Sequence, residues 1–129
     1  MVAGVTSVSF RALLLLVSVA LCLAGPSVAQ QAQAGRGGIV RILDKITGNV
    51  TDLELANGES RQVGLLTISL GECRYPANNP SGDAYEMLTI LYRGGPDPVF
   101  RGWMIASEPS LNALEHPRYD VWPLRCITS

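Results

Sequence analysis

The chain has one long apolar run near its start and, further along, short stretches in which apolar and polar residues alternate. Residues 12–24 are mostly apolar, whereas residues 50–55 and 119–127 alternate with period two, the pattern of a half-buried strand. Similar stretches predict further strands at residues 39–43, 61–63, 65–75, 84–93 and 99–106. We therefore predict a mainly β fold, a small antiparallel β-sandwich or barrel over residues 39–129 with one short helical turn.

Turn-forming residues between and within these stretches add detail. Asn57 and Gly58 together predict a hairpin. Gly71 interrupts a strand and indicates a β-bulge, and Pro123 favours an edge or a bulge for the last strand. Residues 107–114 predict the helical turn, with Ser107 as its N-cap.

The apolar run at the start is typical of a secretory signal peptide. Arg11 precedes it, Gly25 ends it, and small residues at 27 and 29 form a cleavage site ahead of Gln30. We therefore predict a signal peptide over residues 1–29, and an exported, periplasmic protein with no stable membrane span after cleavage. Residues 30–38 are small, polar and glycine-rich, which predicts a flexible tether.

Composition excludes several function classes. The 129-residue chain has a formal net charge of −1 and carries no basic cluster, so nucleic acid is not an expected partner. His116 is the single histidine, and no metal-ligand spacing occurs. We predict no metal and no cofactor.

Three cysteines occur, of which Cys22 lies in the predicted signal peptide. In a small exported domain the remaining pair, Cys73 and Cys126, predicts one disulfide. This disulfide would close the loop between residues 73 and 126. By restricting the unfolded chain it would stabilise the domain by roughly 4 kcal/mol.

Several motifs resemble one protein family. Residues 102–126 combine Gly-Trp-Met, Ala-Ser-x-Pro-Ser-Leu-Asn, His-Pro and Tyr-Asp-Val-Trp, and residues 43–48 and 64–73 carry earlier motifs. They are similar to those of domain-of-unknown-function family 2155, which consists of exported alphaproteobacterial proteins. The resemblance implies an exported domain with paired cysteines, in an envelope or respiratory-complex setting, and no activity, substrate or cofactor.

The polar and aromatic segment over residues 103–122 is the candidate binding surface. Its candidate residues are Trp103, Ser107, Asn112, His116, Tyr119, Asp120 and Trp122. Large exposed aromatic side chains mark recognition surfaces. Ser107, His116 and Asp120 are also the residue types of a nucleophile, a base and its orienting acid, although no Gly-x-Ser-x-Gly motif surrounds Ser107.

These observations favour a non-enzymatic periplasmic domain that binds another envelope protein. Two alternatives stay open: a small hydrolase that uses Ser107, His116 and Asp120, and a cell-wall carbohydrate-binding module in which aromatic side chains stack on sugar rings. The sequence assigns no catalytic residue.

Overall fold

The computed structural model describes residues 31–129, so the predicted signal peptide over residues 1–29 lies outside the described residues. This part of the chain forms eight strands in two antiparallel sheets, which confirms the predicted β-sandwich class. The strands are β1 (Ala32–Ala34), β2 (Gly37–Asp44), β3 (Val50–Ala56), β4 (Ser60–Val63), β5 (Leu66–Pro76), β6 (Tyr85–Tyr92), β7 (Phe100–Ile105) and β8 (Tyr119–Ile127).

The larger sheet has five strands and is built around β5. One edge of β5 pairs with β6, which in turn pairs with β7. The other edge pairs with β4 at residues 66–69 and with β1 at residues 74–76. The smaller sheet has the order β3-β2-β8. Long strands such as β5 therefore serve as the frame on which the short strands assemble.

The core lies between the two sheets and follows the alternation of each strand. In β6 the buried side chains are Glu86, Leu88 and Ile90, and in β8 Tyr119 and Val121 face inward. The apolar core consists of Val40, Ile42, Leu53, Leu55, Leu66, Ile68, Leu70, Leu88, Ile90, Met104, Leu114, Tyr119 and Val121. Burial of these aliphatic side chains supplies the main driving force for folding.

Two irregularities predicted from glycine and proline are present. The register between β5 and β6 shifts between Leu70 and Cys73, so Gly71 lies in a bulge. The register between β2 and β8 shifts between Ile39 and Val40, next to Pro123, and β8 is an edge strand of its sheet. Both predictions are confirmed, because a residue without a side chain or without an N–H is tolerated where ladder pairing is interrupted.

The predicted hairpin at Asn57 and Gly58 is wrong in its pairing. The turn itself forms: Glu59 N–H donates to the Ala56 carbonyl at 3.0 Å, and Gly58 has a φ of 81°. The strand that follows, β4, pairs with β5 in the other sheet. The turn therefore carries the chain across the sandwich, because β4 forms its antiparallel ladder with the edge of β5, from Ser60 opposite Ser69 to Val63 opposite Leu66.

The predicted helical turn is also wrong. Residues 107–114 form β-turns and bends, in which Glu108 N–H donates to Ile105 and Leu111 N–H to Glu108. Ser107 does not cap a helix, because its hydroxyl and its N–H both donate to Asp83. The side chain that could have started a helix is used to hold two loops together.

The segment predicted as a tether is paired over much of its length. β1 pairs with the end of β5, and the Gly35 N–H donates to the Cys73 carbonyl at 2.8 Å. β2 already begins at Gly37. Small residues favour close backbone approach as well as flexibility, and here the neighbouring strand edge decides between the two.

The predicted disulfide between Cys73 and Cys126 is present, with Cα atoms 5.6 Å apart. It connects β5 of the larger sheet to β8 of the smaller sheet. Both cysteines are buried, in a second cluster with Tyr75 and Ala84. Over residues 31–129 no helix is long and apolar enough to cross a membrane.

Candidate functional site

The outer face of the larger sheet carries an exposed aromatic surface. Arg74, Tyr85, Trp103 and Ile105, here called the Trp103 face, line a depression of about 350 Å³. Trp103 is 39% exposed, because alternation in β7 turns it away from the core that its neighbour Met104 enters. The sequence could not say whether this tryptophan faces inward or outward, and the structure places it on the surface.

The Trp103 face is held in shape by contacts among its own residues. Tyr85 lies opposite Ile105 in the register of β6 and β7, and Arg74 lies opposite Tyr85 across β5 and β6. The Arg74 guanidinium lies 5.7 Å from the Trp103 ring centroid, within cation–π range. It also contacts the Glu72 carboxylate at 3.1 Å. These contacts limit side-chain freedom before anything binds.

Asn112 supports the Trp103 face from the free edge of β7. Its side-chain amide donates to the Trp103 carbonyl at 2.8 Å. The loop that contains Asn112 runs from β7 to β8 and buries Leu114 in the core. Asn112 and Trp103 are therefore brought together, as neighbours in one strand-edge contact.

The other candidate tryptophan lies on the opposite side of the molecule. Trp122 is half-buried and points away from Val121 and the core, on the outer face of the smaller sheet. It lines a cavity of about 240 Å³ with Asp120 and the 109–114 loop. Because each tryptophan faces away from the core of a two-layer sandwich, the two do not form one aromatic platform.

Tyr119 is not a surface residue. It is 1% exposed, and its hydroxyl oxygen accepts from the Leu65 N–H at 3.1 Å. A Cβ atom at Gly64 would lie 2.7 Å from this hydroxyl, and Gly64 has a φ of 56°, so glycine is required there. Tyr119 was a candidate because of its neighbours in sequence, and the period of β8 turns it inward.

Ser107, His116 and Asp120 do not come together. Ser107 Oγ donates to Asp83 Oδ2 at 2.7 Å, next to the start of β6. The His116 ring lies 4.6 Å from the ring of Tyr92, at the far end of the same strand. At 3.3 Å per residue the two ends of β6 are about 23 Å apart.

The hydrogen bonds of His116 and Asp120 also exclude a triad. His116 Nδ1 accepts from the Arg118 N–H at 3.0 Å and from the Tyr119 N–H at 3.3 Å. Asp120 contacts Lys45 Nζ at 3.4 Å. Since an orienting acid must accept from the base's own ring nitrogen, these residues fold a loop and do not activate a nucleophile.

Residues from the first and last motifs meet beside His116. Arg118 donates to Asp44, with 3.0 Å between Nη2 and Oδ2, and this hydrogen bond lowers the pKa of Asp44 to about 2. Lys45 Nζ donates to the His116 carbonyl at 2.7 Å. The two motifs therefore fasten the β2–β3 turn to the start of β8, which is a structural task.

Sequence reasoning missed Glu86, which is the one acidic or basic side chain that is completely buried within the described residues. Its Oε1 lies 3.7 Å from Cys73 Sγ, and its Oε2 has no hydrogen-bond partner within residues 31–129. Burial raises the pKa of Glu86 from 4.5 to about 9. A disulfide sulfur carries no hydrogen, so the contact is a hydrogen bond in which the protonated carboxyl donates. Alternation in β6, which aligns Glu86 with Leu88 and Ile90, was the available signal.

Gly38 leaves the space that Glu86 occupies. A Cβ atom at Gly38 would overlap Glu86 Oε1 and lie 2.9 Å from its Cδ. We expect Gly38→Ala to lower the free energy of unfolding by about 1–3 kcal/mol, the usual cost of overpacking. Urea denaturation measures it, with Gly71→Ala as control, since that Cβ would meet Met87 at an ordinary 3.4 Å.

A double-mutant cycle tests the cause of this loss. In a Glu86→Ala background, Gly38→Ala should cost much less than it does in the wild-type protein, because the overlapping carboxyl is gone. Equal costs in the two backgrounds would contradict the assigned contact.

These features define the class of protein: a small antiparallel β-sandwich with one disulfide between its sheets and an exposed aromatic face. The chain belongs to a family described as an uncharacterized protein conserved in bacteria (DUF2155), whose model matches residues 38–126. The family resemblance of the motifs is thereby confirmed.

One curated relative comes from an alphaproteobacterium. The chain is 34% identical over 93 residues to the uncharacterized protein RP359 of Rickettsia prowazekii (strain Madrid E). The match covers 70% of this chain and 60% of the relative, so the chain spans less than two thirds of that protein. No solved structure matches the chain.

Proposed function

We propose that this domain is a non-enzymatic interaction module of the periplasm, which binds another protein of the cell envelope through the Trp103 face. The observation that carries the proposal is the exposure of Trp103, 39%, among Arg74, Tyr85 and Ile105 on a free sheet face. Tryptophan, tyrosine and arginine are the residues enriched in the energetic centres of protein interfaces.

The Trp103 face combines apolar area with a limited amount of charge. The rings of Trp103 and Tyr85 offer surface for an apolar or proline side chain. Arg74 keeps its guanidinium at the rim, half exposed beside Glu72. A partner segment that places an apolar side chain on the tryptophan and a carboxylate near Arg74 fits this chemistry.

The disulfide and the sequence of the first 29 residues support the periplasmic setting. Disulfides persist in oxidising compartments, and a signal peptide would deliver the chain to one. A hydrolase has less support, because Ser107 and His116 lie at opposite ends of β6 and bond to other groups.

Trp103→Ala should abolish recovery of the partner without unfolding the domain. Loss of a central tryptophan weakens an interface by about 2 kcal/mol or more, roughly thirtyfold in Kd. Crosslinking in intact cells, followed by affinity purification and mass spectrometry, measures the recovered partner. Trp122→Ala is the matched control, a half-buried tryptophan on the opposite outer face.

Two outcomes would contradict the proposal. One is a wild-type protein recovered alone as a monomer after crosslinking. The other is a partner that Trp103→Ala retains and Trp122→Ala loses. Retention of the wild-type protein, but not of Trp103→Ala, on insoluble cell-wall material would replace the protein partner by a carbohydrate.

A further inference from the structure

A buried acid touches a buried disulfide at the boundary between the two sheets. Glu86 Oε1 lies 3.7 Å from Cys73 Sγ, while Glu86 Oε2 has no partner among the described residues. Burying a polar group without a hydrogen-bond partner costs free energy, and an apolar side chain of similar size at the same position would avoid this cost. Leu88 and Ile90 show that the same strand face accepts aliphatic residues, so packing alone does not explain the carboxyl.

The surroundings of the carboxyl are neutral. Gly38 faces it from β2, the disulfide from β5 and β8, and Met104 lies opposite it in the register of β7. No charged group among the described residues pairs with it, and burial alone raises its pKa. The carboxyl therefore keeps its proton at neutral pH, at a distance from which Cys73 could receive it.

The second cysteine is one of the residues that line an open cavity. Cys73 is 0% exposed, whereas Cys126 is 6% exposed and lines a cavity of about 410 Å³. Arg125 lines the same cavity and adds a positive charge to it, which would attract an anionic thiolate. Burial thus differs between the two cysteines: Cys126 keeps some exposure beside the cavity, and Cys73 contacts the acid.

We propose that Cys73–Cys126 is an exchangeable disulfide, which a dithiol partner reduces by attack on Cys126 while Glu86 donates a proton to the departing Cys73 sulfur. This activity is separate from binding at the Trp103 face, which lies on the outer side of the larger sheet.

Each step balances. A thiolate of the dithiol bonds to Cys126 Sγ, the Cys73–Cys126 bond breaks with its electron pair on Cys73, and the Glu86 proton moves to that sulfur. The second thiolate of the partner then attacks the mixed disulfide and releases Cys126, which takes a proton from solvent. The partner is oxidised to a disulfide, the protein is reduced by two electrons, and solvent returns the proton to Glu86.

The test measures disulfide reduction in the purified protein with dithiothreitol as the probe dithiol. Free thiols are counted with a maleimide mass tag. Glu86→Gln should slow reduction tenfold or more at neutral pH, because an amide cannot donate the proton and general acid catalysis contributes at least that much. Glu108→Gln, an exposed change in the β7–β8 loop, should leave the rate unchanged.

Two results would overturn the role of Glu86. One is an equal reduction rate in the wild-type protein and Glu86→Gln. The other is a wild-type rate that rises with urea as steeply as the unfolding equilibrium, since reduction would then require global unfolding.

A second measurement uses the wild-type protein alone and does not depend on the folding of a variant. Brief exposure to 2-mercaptoethanol, followed by acid quenching and peptide mass spectrometry, locates the first mixed disulfide. An adduct on Cys126 supports the proposal, whereas an adduct on Cys73, or an equal mixture, contradicts it.

Discussion

The free energy of unfolding should fall as the pH rises from about 5 to about 9, by about 1.4 kcal/mol per pH unit in the middle of that range. The cause is Glu86, whose pKa burial raises from 4.5 to about 9. Between these values the folded protein keeps a proton that the unfolded chain releases, so each increase in pH favours unfolding. Below about pH 4.5 both states hold the proton and the contribution is complete.

Urea denaturation at several pH values checks this dependence, and Glu86→Gln isolates it. Glutamine does not titrate, so the variant should lose most of the slope, whereas Glu108→Gln on an exposed loop should keep it. The total change is comparable with the 5–15 kcal/mol stability of an ordinary domain. A wild-type stability that stays level between pH 5 and 9 would contradict the buried neutral carboxyl.

Replacing both cysteines, Cys73→Ala with Cys126→Ala, should lower the free energy of unfolding by roughly 4 kcal/mol. The disulfide closes a loop of 53 residues, and removing it restores that much conformational freedom to the unfolded chain. It also removes the disulfide cross-link that joins β5 to β8 across the two sheets, next to the bulge in β5. Chemical denaturation of the oxidised wild-type protein and of the variant gives the difference.

Reduction of the wild-type protein provides an independent control. It breaks the same bond and keeps both sulfur atoms in the core, so its effect should approach that of the double substitution. A loss smaller than about 1 kcal/mol in both cases would show that the unfolded chain is already compact around this loop.

Period-two alternation and turn residues were sufficient to predict β2 to β8 and many of the buried residues, whereas β1 lies in the segment predicted as a tether. It works because successive side chains of a strand point to opposite faces, so a half-buried strand records its inner face in its composition. Leu53, Leu66, Ile68 and Val121 are buried on the inner faces of their strands, whereas Trp103 in the middle of β7 is not. An apolar residue on the outer face is the exception: Val50 is 56% exposed, because alternation in β3 places it opposite the face that Leu53 and Leu55 share.

The candidate site was only partly predictable. The candidate residues over 103–122 are close in sequence, but the β7–β8 loop carries the chain from the larger sheet to the smaller one between them. Trp103 and Trp122 therefore reach opposite outer faces, and Tyr119 enters the core. A carboxylate in an alternating strand normally indicates the solvent face, so the sequence predicts no buried role for Glu86.

The sequence by itself determined the β class, the positions of most strands, the two bulges and the family. These are local properties, because alternation, glycine, proline and short motifs are each contained within a few residues. The tertiary structure alone decided that β4 pairs with β5, that Glu86 touches Cys73, and that Ser107 lies far from His116. Such pairings depend on which strand edges and side chains meet across the sandwich, and local patterns carry no information about that choice.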